Sequence, residues 1–494
     1  MASEDLFIGG KWLTGYGKTL FSRNPATYEI VYQCSMASTS DIDRAVRAAQ
    51  AALHDWQAIP FEDKVSYLHR FKNELETSKD SLIEAICLET GKPKWDAMNE
   101  YQAVLGKIDI SIESYGIRCA EMEQAIAQGI LLTRHKPHGV IAVLGPFNFP
   151  AHLPNGHIVP ALLAGNCVVF KPSDYTPLTA KVLIECWERT GIPPGVINMI
   201  QGGKETGKTL ADHEGINGLF FTGSFAVGEA LTHLFANKPG KILALELGGN
   251  NPLVVTNKVQ SAQSAAVLAI QSAFLSAGQR CTCARRLIIP EGSWGDQLIE
   301  ILKQYTENLR IGIYTDDPEP FMGPVIDEAA ALRLLSTQAS LIAKGAYSLL
   351  PLEHLKKDTG LVTPGIIDVT SIKERPDEEY FGPLLQVIRV PNFSTALQEA
   401  NQTAYGLVAG LLSEDYQEWK EFYAKVKAGV MNWNAPTTGA SSSAPFGGIG
   451  KSGNFRPSAF YAADYCSYPV ASMMKEQLTL PAKLPEGLEE LKHA

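Results

Sequence analysis

The sequence predicts an α/β protein whose first large unit is a doubly wound, mainly parallel sheet. Between residues 139 and 248, short apolar runs alternate with helical stretches, and Gly, Pro and small polar residues follow the runs. This alternation is typical of right-handed βαβ units. The runs cover residues 140–144, 168–170, 196–200, 219–221 and 242–245. Ligands of such sheets bind at the carboxyl ends of the strands, so we expect the functional site in the loops there.

Length and composition predict more than one folded unit. The chain has 494 residues, whereas a single hydrophobic core stops growing at ~250 to 300 residues. Hydrophobic residues make up 45% and charged residues 19% of the chain, which excludes extended disorder.

Charge and cysteine usage exclude several classes of partner. The net charge is −10 and no long run of Lys and Arg is present, so we expect no nucleic acid. The apolar runs are too short for a membrane helix and the N-terminus lacks a secretory pattern, so we expect a cytoplasmic protein that binds no membrane. The eight cysteines have neither disulfide-scaffold nor zinc spacing, so we expect no metal site.

The first 119 residues begin with short strands and continue with helices. The segment FIGGKW, with its return near Phe21, predicts a small hairpin. A capping box from Ser40 predicts the start of a helix. Apolar residues recur at helical spacing over residues 42–56 and again over residues 65–75. We expect these helices to pack on the later sheet, so that residues 1–119 and 139–248 form one domain.

A second helix and strand series is predicted over residues 249–463, with the boundary at the GGNNP turn. It includes a helix over 261–277, a strand over 286–289 and a loop over 378–383. Residues 120–138 and 464–482 fit neither series. Alternation at Leu478 and Leu480 suggests a small protruding β layer for subunit contact, and residues 483–494 are predicted to be a polar tail.

Two glycine-rich loops could bind phosphate. Residues 202–209 (GGKETGKT) match the P-loop pattern, but the helical stretch that follows is cut short by Gly215, and no later strand ends in a magnesium-binding Asp. Gly223 and Ser224 open a helix that continues through Gly228, and its bare N–H groups could hold a pyrophosphate. A tight turn with an N-cap is the structural alternative.

Two residues could carry acid–base or nucleophilic chemistry. Cys281 follows an apolar helical stretch among small residues, and three neighbouring arginines would favour its thiolate. Inert packing is the alternative, and it suits the neighbouring Cys283. Glu246 ends an apolar strand, where burial would raise its pKa towards that of a general base. A structural carboxylate is the alternative.

Seven segments, in this order, resemble the aldehyde dehydrogenase superfamily across essentially the whole chain. They are GPFNFP at 145–150, KPS at 171–173, FTGS at 221–224, LELGG at 245–249, GQRC at 278–281, EYFGP at 379–383 and PFGG at 445–448. The resemblance implies an aldehyde dehydrogenase-like α/β fold with a cofactor domain, a catalytic domain and a small β oligomerisation layer. It also implies a homodimer or homotetramer.

The resemblance implies a role for each candidate residue. Cys281 would attack the aldehyde as a thiolate, and the oxyanion would be held by the Asn148 side chain and the Cys281 N–H. Glu246 would activate the water that hydrolyses the thioester.

The resemblance also implies NAD as cofactor. Lys171 and Asp174 would bind the adenosine ribose, where many relatives have Glu in place of Asp174, and a carboxylate there disfavours the 2′-phosphate of NADP. The remaining cofactor residues would be Gly223, Ser224 and Gly228 at the pyrophosphate, and Glu379 and Phe381 at the nicotinamide ribose and ring.

Three further stretches, at 152–157, 281–286 and 456–459, are similar to family members that act on an acidic semialdehyde. Such a substrate needs a local cationic patch on an acidic protein, and Arg280, Arg285, Arg286 and Arg456 are the candidates. The competing functions are a P-loop ATPase, an enzyme for another acidic or aliphatic semialdehyde, and a non-catalytic scaffold that keeps the fold.

Overall fold

The computed structural model describes residues 4–126, 129–481 and 483–489. Residues 490–494 of the predicted polar tail lie outside the described residues, as do residues 127, 128 and 482 of the predicted β layer. Residues 483–489 form neither helix nor strand. Within the described ranges, no helix combines the length and the apolar character needed to cross a bilayer.

The helices and strands alternate along most of the chain. The helices are α1 (Thr39–Ala58), α2 (Phe61–Thr77), α3 (Lys79–Thr90), α4 (Lys94–Arg118), α5 (His152–Leu163), α6 (Pro177–Arg189), α7 (Lys204–Asp212), α8 (Phe225–Phe235), α9 (Ala262–Phe274), α10 (Ser293–Glu307), α11 (Glu328–Ala343), α12 (Phe393–Ala400), α13 (Tyr416–Lys425) and α14 (Ala462–Cys466). The strands are β1 (Leu6–Ile8), β2 (Lys11–Leu13), β3 (Thr19–Arg23), β4 (Ile30–Ser35), β5 (Met122–Ile126), β6 (Gly129–Pro137), β7 (Val140–Leu144), β8 (Cys167–Lys171), β9 (Ile197–Met199), β10 (Gly218–Gly223), β11 (Ile242–Leu247), β12 (Asn251–Val255), β13 (Ala284–Pro290), β14 (Tyr347–Leu350), β15 (Gly365–Asp368), β16 (Leu384–Val390), β17 (Val408–Leu412), β18 (Val430–Trp433), β19 (Pro445–Phe446), β20 (Ser458–Ala459) and β21 (Ser467–Met474).

The first sheet has the order β11-β10-β7-β8-β9-β1-β2. The five strands from β11 to β9 are parallel, and β1 and β2 form an antiparallel hairpin at one edge. The five predicted apolar runs all coincide with these parallel strands, which confirms the doubly wound α/β class. The chain reverses its direction of winding between β7 and β10, and such a switch point opens a crevice at the carboxyl ends of the strands.

The second sheet has the order β14-β15-β16-β13-β12-β17-β18 and is parallel except at β14. It buries apolar side chains on both faces, since Val254 of β12 packs in one cluster while its neighbours Leu253 and Val255 pack in another. This alternation follows from the two-residue period of a strand. The chain passes from the first sheet to the second at residues 248–250.

The third sheet has three antiparallel strands in the order β21-β6-β5. It is formed by the two segments that fitted neither helix and strand series. The predicted alternation at Leu478 and Leu480 is wrong, because β21 ends at Met474 and both leucines lie in an exposed segment without strand pairing.

Two N-terminal predictions need correction. The hairpin closes within FIGGKW itself, since β1 pairs with β2, whereas Phe21 lies in β3 and pairs with β4. The capping box of α1 uses Ser38 rather than Ser40: the Ser38 hydroxyl accepts from the Asp41 N–H, and the Asp41 carboxylate accepts from the Ser38 N–H. Both Ser38 and Ser40 precede acidic residues, so the sequence left the choice between them open.

The GGKETGKT segment is not a phosphate-binding loop. Helix α7 begins at Lys204, so residues 204–209 are helical where a P-loop would wrap its backbone N–H groups around a phosphate. The N–H of Gly207 already donates to the Gly203 carbonyl. The structure therefore contains no phosphate-binding loop at residues 202–209, and the ATPase alternative lacks the site on which it depended.

Candidate active site

The predicted site residues meet where the two large sheets adjoin. Because β7, β8, β10 and β11 are parallel, the residues that follow them lie at one edge of the first sheet. Asn148 follows β7, Lys171 ends β8, Ser224 follows β10 and Glu246 lies near the end of β11. Cys281 enters from the second sheet, in the turn before β13.

A strained turn presents Cys281. Ser276 and Ala277 have left-handed φ values of 52° and 54°, a conformation that costs an L residue ~1 to 3 kcal/mol. The buried Asp96 of α4 accepts a bond from the Ser276 hydroxyl and a 2.7 Å bond from the Arg280 guanidinium. These contacts hold both ends of the turn that leads to Cys281.

Side-chain amides fix the backbone on either side of the thiol. Asn251 donates to the carbonyls of Cys281, at 2.6 Å, and Cys283, at 2.9 Å. Asn148 donates through Nδ2 to the Gln279 carbonyl at 2.8 Å, which places the Asn148 side chain against the Cys281 turn. The second hydrogen of Nδ2 stays available for an oxyanion.

The Cys281 thiol is partly exposed, whereas the Cys283 thiol is buried and has the Leu275 carbonyl beside it. Burial within the site raises the pKa of the Cys281 thiol, and the carboxylates of Glu379 and Glu246 raise it further. Of the three neighbouring arginines, Arg285 lowers this pKa as predicted, but burial and the two carboxylates outweigh it, so the thiol form is favoured. A base must take its proton before it can attack.

The arginines are engaged elsewhere. Arg280 forms an ion pair with Asp96. Arg285 donates to the carbonyls of Gly278, Arg280 and Gly382, and Arg286 donates to those of Asn250, Glu399 and Ala400. The Arg285 guanidinium therefore joins the Cys281 turn to the segment before β16, whereas the Arg286 guanidinium joins β13 to the end of α12 and to the segment before β12. Of the four candidates for a substrate carboxylate, Arg456 alone is exposed, and it donates to the Phe455 carbonyl.

Glu246 is buried at the end of β11. One carboxylate oxygen accepts from the Ser458 N–H at 3.2 Å, and Oε2 has no partner among the described residues. Burial raises the pKa of Glu246 well above the ordinary range, and Lys107 partly opposes this shift. A carboxylate with a raised pKa and a free oxygen is suited to accept a proton from water or a thiol.

Glu379 and Phe381 lie near Cys281, and the charge of Glu379 acts on the thiol. Burial raises the pKa of Glu379, while Arg285, 3.8 Å away, and the Gly249 N–H, at 3.1 Å, favour its charged form. The Phe381 ring stands edge-on to Phe147 at 5.9 Å. The predicted nicotinamide residues therefore adjoin the predicted nucleophile.

Lys171 and Asp174 follow β8 beside the Gly202–Gly203 turn. Lys171 Nζ donates to the Pro172 and Gly202 carbonyls, which leaves one of its three hydrogens. Burial lowers the pKa of Lys171 to about 8, and Asp174 opposes that shift. The partly exposed Asp174 carboxylate lies close to Gly203, where a Cβ atom would stand 3.3 Å from its Oδ2. A free ammonium hydrogen and a carboxylate suit the hydroxyl groups of a ribose.

The turn after β10 exposes a helix N-terminus. Ser224 is the exposed N-cap of α8 and makes no side-chain cap bond, so the first N–H groups of the helix stay open to a phosphate. The N–H of Gly228 is not open to a phosphate, because it donates to the Ser224 carbonyl within the helix. A Cβ atom on Gly228 would stand 2.5 Å from Leu247, so this glycine lets α8 pack closely on β11.

Several site residues were not found from the sequence. Asp96 and Lys107 lie on α4, Gln279 lies in the GQRC motif, where only Cys281 was given a role, and Asn251 lies in the predicted GGNNP turn. On α4 a signal existed, since Asp96, Glu100 and Lys107 share the buried face of a helix that is otherwise amphipathic. Buried charges at such positions indicate partners inside the protein.

Comparison with known proteins gives the class of enzyme to which this fold belongs. The aldehyde dehydrogenase family model matches residues 12–469, so the chain belongs to the aldehyde dehydrogenase family. It is 52% identical over 482 residues, 98% of this chain and 99% of the relative, to N-succinylglutamate 5-semialdehyde dehydrogenase of Ectopseudomonas mendocina (strain ymp).

Solved structures show the same fold. A Mycobacterium tuberculosis aldehyde dehydrogenase complexed with NAD+ superimposes with a TM-score of 0.90 at 27% identity, covering 97% of this chain and 100% of that one. An NADP-dependent glyceraldehyde-3-phosphate dehydrogenase from Bacillus halodurans C-125, complexed with NADP, gives a TM-score of 0.88 at 27% identity, covering 96% and 99%.

Proposed function

We propose that the protein oxidises N-succinyl-L-glutamate 5-semialdehyde to N-succinyl-L-glutamate with NAD, in the succinyltransferase route of arginine catabolism. The observation that carries this proposal is the 52% identity to a relative of that name over nearly all of both chains. It is supported by a partly exposed Cys281 that lies within the electrostatic reach of Glu246 and Glu379.

In the first step, Cys281 loses its proton to a neighbouring carboxylate and attacks the aldehyde carbon. The oxyanion of the resulting thiohemiacetal is held by the free Nδ2 hydrogen of Asn148 and by the Cys281 N–H. Asn251 and Gln279 keep the turn in place during attack, because they bond to its backbone or to the segments beside it. Bound NAD supplies the acceptor for the hydride that leaves this carbon.

In the second step, Glu246 activates water for hydrolysis of the thioester. Its unpartnered oxygen can accept the proton of an attacking water molecule, and its raised pKa makes it a stronger base than an ordinary carboxylate. Release of the acid restores the Cys281 thiol. Lys107 favours the charged form of Glu246 and so limits the rise of its pKa.

The predicted cofactor residues at the carboxyl edge of the first sheet fit NAD. The uncapped N-terminus of α8 suits a pyrophosphate, and the spare hydrogen of Lys171 with the Asp174 carboxylate suits ribose hydroxyls. A carboxylate at this position repels a 2′-phosphate, which favours NAD over NADP. In this proposal Gly223, Ser224 and Gly228 shape the pyrophosphate turn, while Glu379 and Phe381 border the nicotinamide.

We further propose roles for the units of the chain. Residues 1–119 and 139–248 form the cofactor domain, residues 249–463 form the catalytic domain, and residues 120–138 and 464–482 join subunits in a homodimer or homotetramer. The eight cysteines are free thiols, which suits the reducing cytoplasm.

The substrate proposal is tested by ranking aldehydes with NAD. The succinylated semialdehyde should exceed an uncharged aldehyde of similar length by at least about 100-fold in kcat/KM, roughly 2.7 kcal/mol, the scale of one or two charge-assisted hydrogen bonds. NADH absorbance measures the rates, and NADP serves as the cofactor control. Equal turnover of the two aldehydes would contradict the substrate, and no NADH from any aldehyde would favour a scaffold.

A further inference from the structure

A cavity borders Glu246, and none of the proposed cofactor residues lines it. The centre of a water-sized molecule can occupy about 100 Å³ of it, and it lies between α4, α5, the end of β11 and the segments around Ser442 and Phe446. Glu246 lines the cavity, and its charge acts on Cys281. A molecule in this cavity would therefore lie beside the reacting groups.

Among the residues that the structure describes, Lys107 of α4 is the cation that lines this cavity. The Lys107 side chain is buried, and its Nζ donates to the Ser442 hydroxyl at 3.1 Å. Within the described ranges no carboxylate forms an ion pair with it, whereas the buried Lys92 pairs with Glu100 at 2.7 Å. Burying an ammonium group whose single hydrogen-bond partner is neutral costs free energy unless an anion also binds to it.

The other basic groups near the site cannot supply a positive charge to the cavity. Burial lowers the pKa of His152 and of His157 to about 3, so both rings are neutral at physiological pH. Both nitrogens of His157 are also engaged, with the hydroxyls of Tyr465 and Thr222. Arg280 is paired with Asp96, and Arg285 and Arg286 donate to backbone carbonyls.

We propose that Lys107, with the Ser442 hydroxyl, binds a carboxylate of the substrate and thereby selects acidic semialdehydes. This inference rests on the proposed function and names the group that recognises the substrate's charge. The ammonium has two hydrogens beyond the one given to Ser442, and a carboxylate can accept both. The four arginines suggested by the sequence are not needed for this role.

A second role for Lys107 must be separated from this one. Lys107 interacts electrostatically with Glu246, which raises the pKa of the lysine and lowers that of the carboxyl. If the lysine acted only by tuning Glu246, its loss would slow every aldehyde alike. If it binds the substrate's carboxylate, its loss will affect the acidic aldehyde far more than an uncharged one.

The test compares Lys107→Met and Lys107→Arg with the wild type on N-succinylglutamate 5-semialdehyde and on its uncharged diamide. Lys107→Met should lower kcat/KM for the acidic aldehyde, mainly through KM, by a factor at least about 20 times larger than for the diamide. The loss common to both aldehydes reports the effect of Lys107 on Glu246. Lys107→Arg should recover part of the loss. Lys72→Met is the matched control, since Lys72 forms an exposed pair with Asp109 outside the cavity, and it should change neither value.

The pH profile gives an independent readout. Burial lowers the pKa of Lys107 to about 8, and the charged form binds the carboxylate, so kcat/KM for the acidic aldehyde should fall as pH rises through about 8. The diamide should not show this step. The groups facing Lys107 are Glu246 from β11 and His152 and His157 from α5, and the histidines do not titrate in this range.

The outcomes separate the hypotheses. An equal loss for both aldehydes in Lys107→Met, or no loss for either, would overturn the assignment of Lys107. Retention of the step near pH 8 in Lys107→Met would overturn it as well. Equal turnover of both aldehydes by the wild type would instead contradict the proposed substrate, and that result appears before any substitution is made.

Discussion

Burial affects the ionisable side chains of the site in opposite directions. It raises the pKa of Cys281 and of Glu246, and it lowers the pKa of Lys107 and of His157. In each case burial shifts the equilibrium towards the neutral form, because the charged form loses its hydration. Lys107, with a pKa of about 8, still keeps its charge at neutral pH and is the cation among these four groups.

Glu246→Gln tests the base at this scale. An amide cannot accept the proton of the hydrolytic water, so about one NADH per active site should form rapidly, and the steady-state rate should fall by at least about 100-fold. Rapid-mixing absorbance measures the burst, and mass spectrometry of the digested protein should place the acyl adduct on Cys281. Cys283→Ala in the same background should keep the adduct. Absence of both burst and adduct would mean that Glu246 acts before hydride transfer or only in packing.

The sequence predicted which residues are candidates for the chemistry better than it predicted their protonation states. Cys281 and Glu246 could be found because each interrupts an apolar or small-residue pattern at the end of an element. The protonation state of Cys281 could not be predicted, because the guanidinium groups of Arg285 and Arg286 donate to backbone carbonyls of residues that are distant in the sequence. Proximity along the chain suggested a thiolate, whereas the folded environment favours the thiol.

At the level of elements, helix α4 connects the two sides of the active site. Asp96 in its first turn holds the Cys281 turn, and Glu100 accepts from the N–H groups of Ala151 and His152 at the start of α5. Glu100 also pairs with Lys92, whose ammonium stands 3.6 Å from the centre of the Phe149 ring, next to Asn148. One helix thus positions the nucleophile turn and the oxyanion loop.

Asp96→Ala tests this connection. Removing the carboxylate leaves the largely buried guanidinium of Arg280 and the Ser276 turn without their partner, which should lower the free energy of unfolding by about 3 kcal/mol. The turn should relax, so kcat should fall by at least tenfold while the dissociation constant of NAD changes little. Denaturant unfolding, steady-state kinetics and cofactor titration measure the three quantities.

Asp109→Ala, on the exposed side of the same helix, is the control and should leave all three quantities unchanged. Wild-type kcat in Asp96→Ala would show that the Cys281 turn does not depend on this carboxylate.

The element pattern shows where sequence reasoning succeeds. The parallel strands could be predicted because each is a continuous apolar run bounded by Gly or Pro, as buried strands require. Helix α4 was missed as a functional element, since its charged residues are paired with groups from the segment between α3 and α4, from α5 and from the Cys281 turn. Those partners are set by packing between elements, which periodicity does not report.

For the whole molecule, the two large sheets carry the site and the third sheet stands apart from it. In β21-β6-β5, the face that bears the buried Leu132 packs on the protein. Cross-strand register places Met122, Leu131 and Met473 together on the opposite face, and both methionines are more than half exposed. Exposed apolar side chains on a small sheet with two open edges indicate a contact surface.

We expect this face to be covered by a second copy of the chain. The wild type at micromolar concentration should show the mass of two or four chains in sedimentation or light scattering. Met122→Glu combined with Met473→Glu introduces two like charges on the outward face, and should raise the dissociation constant of the oligomer by at least tenfold because those carboxylates would have to be desolvated. Met474→Glu is the matched control, since Met474 pairs with Ile130 on the opposite face and should leave the mass unchanged. A single-chain mass for the wild type would contradict the assembly, and an unchanged mass in the double variant would move the contact to another surface.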